Sequence, residues 1–488
     1  MLFNSYEFIF VFLPTTFFIY FYLNHKRLTE ASKGFLVCSS LFFYSWWNVA
    51  YLPIILASMV FNYAAGRSLN KACKNKRKGF SKKSILIFGI VFNLSLLGYF
   101  KYTDFLIENF NLAFNSNAEL LNLALPLAIS FFTFQQIAYL VDSYRQETKE
   151  YDFLNYALFV TFFPQLIAGP IVHHKEMMPQ FAKTRNKVKN YRNIAIGLFI
   201  FSIGLFKKVV IADTFSVWAT QGFDVATTLN LFEAWATSLS YTFQLYFDFS
   251  GYTDMAIGLA LLFNIRLPIN FNSPYKATNI QDFWRRWHMT LSRFMREYIY
   301  IPLGGSKKGE FRTYNNLMAT FVIGGLWHGA GWTFIFWGFL HGLALMIQIF
   351  WSKLDFKLWT WLAWLITFNF VNVTWVFFRA NEWDDAIKVL RSMFSLNSIV
   401  LPNALEGKLG FLTDFGIYFG GFVENIKGDF YTPIWIFIGF IMVLMSKNSM
   451  EQAIKFKTNI WHLLIHIILI FTSLLSLNKV SEFLYFNF

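Results

Sequence analysis

Apolar residues gather in long blocks, at about 7–23, 34–66, 84–100, 121–141, 153–171, 193–212, 231–265, 316–351, 358–378, 433–446 and 459–477. About 20 consecutive apolar residues cross a bilayer as a helix, and helices satisfy their own backbone polar groups in lipid. The pattern therefore predicts an all-α polytopic membrane protein with about eleven transmembrane helices. Some blocks are shorter or longer than one crossing. Pro53, Pro126, Pro164 and the pair Gly169-Pro170 interrupt others, which predicts kinked or re-entrant segments. Irregular backbone at membrane depth is tolerated only against protein or a water-filled cavity. The expected architecture is thus a bundle of helices with re-entrant pieces around a funnel or tunnel. No internal repeat of the transporter kind and no low-complexity linker interrupts it.

Composition agrees: of 488 residues, 56% are hydrophobic and only 14% charged, with mean hydropathy +0.42. A soluble domain carries roughly a quarter charged residues, so a large soluble core is excluded. The net charge of +14 does not call for nucleic acid, because the basic residues occupy short loops in the manner of cytosolic connections. Residues 67–83 hold eight Lys/Arg and no acid, and 175–192 and 276–312 are also basic. Residues 379–429 carry seven acids against five bases and are expected outside. The last block follows Lys447, Lys455 and Lys457, which predicts an outer-face, periplasmic C-terminus. The first block lacks a basic leader and a small-residue cleavage site, and reads as a retained span. Cys38 and Cys73 are the two cysteines; Cys73 lies in a Lys-rich loop, which argues against a disulfide framework.

Three strings carry the candidate chemistry. In Gly324-Gly325-Leu326-Trp327-His328-Gly329, an imidazole lies between apolar blocks, where an ionisable side chain is a functional candidate by default. Kept neutral by burial, His328 suits a general base acting on a hydroxyl; a buried structural histidine is the competing reading. His341, His462 and His466 sit in apolar runs and read as packing or hydrogen-bonding residues. Residues 281–300 read as an amphipathic helix, with Trp284, Trp287, Leu291, Phe294 and Tyr298 on one face. This is either an interfacial helix with Arg285, Arg286, Arg293 and Arg296 on headgroups, or a tunnel wall with His288 pointing inward. Gln244, Asp248 and Asp254, in QLYFDFSGYTD, need partners that the arginine-rich segment could supply, in ion pairing or in substrate contact.

The strings QLYFDFSGYTDMAIG, NFNSPYKATNIQDFWRRWHMTLSRFMREYIYIPLGG and GGLWHGAGWTFIFWGFLHG resemble the membrane-bound O-acyltransferase family. They are most similar to its bacterial branch that O-acetylates alginate or peptidoglycan, related to the membrane protein of teichoic-acid D-alanylation. The resemblance runs from Phe3-Asn4-Ser5 through Ala168-Gly169-Pro170 to the terminal FLYFNF. It implies one membrane domain over 1–488, with a catalytic core at 120–378 and an outer-face aromatic tail at 478–488. It implies His328 as catalytic histidine, His288 as a second functional histidine, and Tyr485 as an acyl acceptor or an aromatic anchor. The implied reaction draws acetyl from cytosolic acetyl-CoA, with no bound cofactor or metal. Lys276, Arg285, Arg286 and Arg293 are expected on the CoA phosphates, and Trp327, Gln244, Asp248 and Asp254 are further candidates for substrate binding. An SGNH-type acetyltransferase outside the inner membrane is the implied partner, and peptidoglycan the favoured acceptor over alginate. A non-enzymatic polysaccharide or lipid transporter, and a lipid acyltransferase using longer chains, are the alternatives.

Overall fold

A computed structural model of the chain describes all residues except 75–80, 149–151, 355, 397–398, 478–483 and 485–488. The described chain is helical almost throughout. Six helical stretches among the described residues are long and apolar enough to cross a membrane: Phe8–His25, Val49–Lys71, Lys82–Lys101, Tyr191–Val225, Trp332–Trp351 and Thr360–Arg379. Tyr431–Leu444 and Ile460–Ser476 are apolar but shorter. A short parallel pairing of Val400–Pro402 with Tyr418–Gly420 lies in the acidic stretch.

Where blocks and helices differ, local chemistry explains it. The 34–66 block is two helices, Thr29–Ser45 and Leu52–Lys74, separated by a turn in which the Asn48 side chain accepts from the Ala50 N–H. The 121–141 block becomes helical only at Ile129, after Ala128 in the left-handed region. In the 153–171 block, Phe162 separates a helix at Phe153–Thr161 from one turn at Phe163–Leu166, with Pro164 in that turn. The Phe163 N–H, left without an intrahelical acceptor, donates to the buried Ser40 hydroxyl at 3.1 Å. The 316–351 block is two arms, Glu310–His328 and Trp332–Trp351.

The chain forms two compact units. The first comprises Met1–Leu205, Tyr252–Ile269 and Ala453–Phe488. Its core includes a cluster of Phe3, Phe8, Phe43 and Phe163 rings. Two of its spans are joined by Asn62 and Asn93, whose carboxamides exchange hydrogen bonds of 3.0 and 2.7 Å. Polar pairs of this kind hold helices together where lipid gives no hydrophobic drive between them. The second unit comprises Phe206–Gly251 and Asn270–Gln452. A file of buried indoles runs through it, with Trp287 5.0 Å from Trp375 and Trp375 5.7 Å from Trp337.

Candidate active site

Within the second unit, the arms Glu310–His328 and Trp332–Trp351 turn about Gly329, Ala330 and Gly331. Glycines let them touch: a Cβ on Gly325 would lie 2.2 Å from the Phe334 carbonyl oxygen, and one on Gly338 2.3 Å from that of Phe321. His328 is the last helical residue of its arm. Its ring is buried and meets Trp327, Trp337 and Phe378 edge-on, at 4.8, 5.2 and 5.0 Å.

A cavity of about 560 Å³ runs along this arm. Thr313, Leu317, Phe321, Gly324 and His328 line it at intervals of three or four residues, one face of a helix. At 1.5 Å rise per residue the lined face is roughly 22 Å long. Tyr300 and Ser306 also line the cavity, and the Asn316 amide bonds the Gly305 carbonyl at 2.9 Å, which places that loop towards the Thr313 end. Arg285 and Arg296 line the cavity too, and among the described residues no acidic one does. The site thus combines two guanidiniums, an apolar and aromatic barrel, and an imidazole at the end of the lined helix face. It suits a long substrate with an anionic head and a slender neutral arm.

Two other histidines of this unit have fixed proton positions. The Asn270 side-chain oxygen accepts from the Thr290 backbone N–H at 3.2 Å and the Thr290 hydroxyl at 2.9 Å. Because that backbone group can only donate, the His288 Nδ1, 3.1 Å from the same oxygen, must donate as well. Nε2 of His288 therefore carries the lone pair, and it has no hydrogen-bond partner among the described residues. Complete burial pushes the pKa down, to about 3, so the ring is neutral. His288 itself is in the left-handed region, φ 41°. The continuous amphipathic helix expected over 281–300 is thereby corrected to two short ones, Ile280–Arg286 and Met289–Met295, followed by a wider π turn, Arg296–Tyr300. The kink turns the ring inward against Phe249 and Phe271. His341 is bonded at both nitrogens, to Trp284 Nε1 at 3.2 Å and to the Thr374 hydroxyl at 3.1 Å.

The membrane-bound O-acyltransferase family profile matches residues 10–381. That span is well over half the chain and contains the cavity, both arms and both motif histidines. The chain belongs to the membrane-bound O-acyltransferase family. It is 56% identical over 431 residues to the peptidoglycan O-acetyltransferase of Helicobacter pylori, covering 82% of this chain and 81% of that one. It is 40% identical to the probable alginate O-acetylase AlgI of Pseudomonas aeruginosa, over 82% of this chain and 76% of the other. A more distant relative, the teichoic acid D-alanyltransferase of Bacillus subtilis, is 30% identical over 51% of this chain and 67% of its own. The protein is thus a multi-pass membrane acyltransferase, and its relatives support O-acetylation of an envelope polysaccharide.

Set in this O-acyltransferase, the residues singled out from sequence separate into groups. His328 and Arg285 share the cavity. Trp327 packs on His328 but does not line it. His288 lies in the same unit, outside the lining. Arg286 is 2.9 Å from Asp282, and Lys276 donates to the Ser446 carbonyl at 2.9 Å. Neither they nor Arg293 line the cavity. Asp248, for which the arginine-rich segment was the expected source of a partner, pairs with a lysine. Lys208 Nζ is 2.7 Å from Asp248 and 3.0 Å from Asp213, with all three side chains at most 9% exposed. Gln244 is buried on the same helix, Leu231–Leu262, with its side-chain oxygen unbonded. Asp254, buried further along that helix, belongs to the first unit. Tyr485 lies outside the described residues. His462 bonds Asn459 at 2.7 Å and His466 bonds Ser202 at 2.9 Å. Lys208 was missed, although a lysine inside the 193–212 block is itself a signal. Asn270 and Trp337, which fix one histidine and pack on another, carry no spacing that points to them.

Proposed function

We propose that this O-acyltransferase moves acetyl from cytosolic acetyl-CoA across the inner membrane, for O-acetylation of peptidoglycan. The observation that carries the reading is the cavity with guanidiniums in its wall and His328 at one end of the lined helix face. The pantetheine arm follows the apolar face, with Arg285 and Arg296 on the CoA phosphates, because Arg pairs phosphate in a two-pronged geometry. His328 takes the proton of an acceptor hydroxyl as its oxygen attacks the thioester carbonyl. The carbon–sulfur bond then breaks, and the thiolate receives that proton. The charged CoA stays on its own side, and only a small neutral acetyl changes compartment. His288, with a lone pair on Nε2, is a second acceptor for protons or hydroxyls in the same unit. The Tyr485 hydroxyl is the proposed first acceptor, handing acetyl to a periplasmic SGNH-type partner. Peptidoglycan is favoured over alginate by the 56% against 40% identity.

The test is deletion of the gene, with muropeptide O-acetyl content read by mass spectrometry and complementation by wild type or His328→Ala. Loss of acetyl that only the wild type restores is expected. Unchanged muropeptides alongside a deacetylated exopolysaccharide would move the substrate to the alginate type.

A further inference from the structure

His341 presents an ordered chain of donors that runs from the cavity wall into the protein. An indole N–H can only donate, so Trp284 Nε1, at 3.2 Å, makes Nδ1 of His341 the acceptor. The proton then sits on Nε2, which donates to the Thr374 hydroxyl at 3.1 Å. Thr374 in turn donates to the Val371 carbonyl at 2.8 Å. Each group gives one hydrogen to the next, and both nitrogens of a fully buried imidazole are used. His341 therefore has no lone pair left for chemistry.

What it touches matters more. Trp284 lines the cavity and stands 5.1 Å from the His341 ring. Trp337, also in the lining, lies 4.8 Å from His341 and 5.2 Å from His328. One imidazole thus orients two cavity-wall indoles, one by a hydrogen bond and one by edge-on packing. An indole without this bond can rotate its ring, with a buried N–H left unsatisfied.

We propose that His341 is a positioning residue of the donor cavity, holding the indole of Trp284 in the wall and seating Trp337 against His328. This rests on the cavity being the acetyl-CoA site, so the experiment first checks that wild-type turnover saturates with acetyl-CoA. Failure at that step overturns the functional reading and not the geometry.

Thiol release is then followed with the purified full chain. Trp284→Phe removes the indole N–H together with part of the ring; Thr374→Val removes the acceptor at the other end and leaves the indole whole; His341→Leu removes both bonds. One hydrogen bond contributes about 0.5–1.5 kcal/mol, so Trp284→Phe should raise the acetyl-CoA KM about two- to twelvefold, with kcat changed less than twofold. His341→Leu should raise it further, and His341→Gln, which can still accept from the indole, should recover part of the loss. Adding Trp284→Phe to His341→Leu should cost less than Trp284→Phe does alone, because the bond is already gone. Additive losses, an unchanged KM, or a fall in kcat alone would overturn the proposal. If His341→Leu does not fold, the conservative Trp284→Phe and Thr374→Val variants still decide it through the KM.

Discussion

The second unit contains two buried polar centres of opposite character. His328 stands in the wall of a cavity of about 560 Å³, among rings. Lys208 stands against two carboxylates at 2.7 and 3.0 Å, with its own side chain 3% exposed. Both break the rule that ionisable groups avoid apolar surroundings, yet the second is consumed by its own partners while the first faces space that a substrate can enter. An intramembrane charge is thus a functional candidate only when a cavity reaches it. When its neighbours reach it first, it holds the fold.

This contrast can be broken by mutation. The largest effect expected is for His328→Ala, since general-base assistance contributes about 10²–10⁴ in rate. Acetyl-CoA turnover should fall to background with unchanged thermal unfolding in detergent. At the other centre the losses should reverse. Lys208→Met leaves two carboxylates buried without their cation, which destabilises by about 3–5 kcal/mol. Unfolding should move to lower temperature while activity per folded molecule persists, and adding Asp248→Asn should recover part of the stability. Lost turnover at unchanged stability would place Lys208 in the chemistry and erase the distinction.

Next in size, Arg285→Gln with Arg296→Gln should raise the acetyl-CoA KM roughly tenfold or more, since each bond to a charged group contributes about 1.5–3 kcal/mol. Added salt should weaken the wild type towards the variant. Smallest is Arg286→Gln. Its guanidinium faces Asp282 at 2.9 Å in a one-third exposed pair, an interaction of about 0–1 kcal/mol. Its KM should stay within twofold of wild type, and a shift as large as that for Arg285 would mean the headgroup site extends beyond the cavity lining.

Much of the fold was legible because lipid leaves the backbone few choices. Apolar blocks had to be helices. His328 was readable for the same reason: an imidazole inside an apolar block stands out. The break at His288 was not, since Trp284, Trp287, Leu291 and Phe294 keep helical spacing across a residue at φ 41°, and periodicity cannot register one left-handed residue. Nor could the arginines be sorted. Arg285 and Arg286 are neighbours, and only the direction of a short helix sends one to the cavity and the other to Asp282. Lys208 lies 40 positions before Asp248, and no local pattern links them.

The central claim is that the donor thioester reaches His328 through this cavity. Determining the structure of the full chain with a non-hydrolysable thioether analogue of acetyl-CoA tests it most directly. The phosphates are expected beside Arg285 and Arg296, the arm along Thr313, Leu317 and Phe321, and the sulfur within reach of the His328 ring. An analogue bound elsewhere, with that cavity empty, would contradict it.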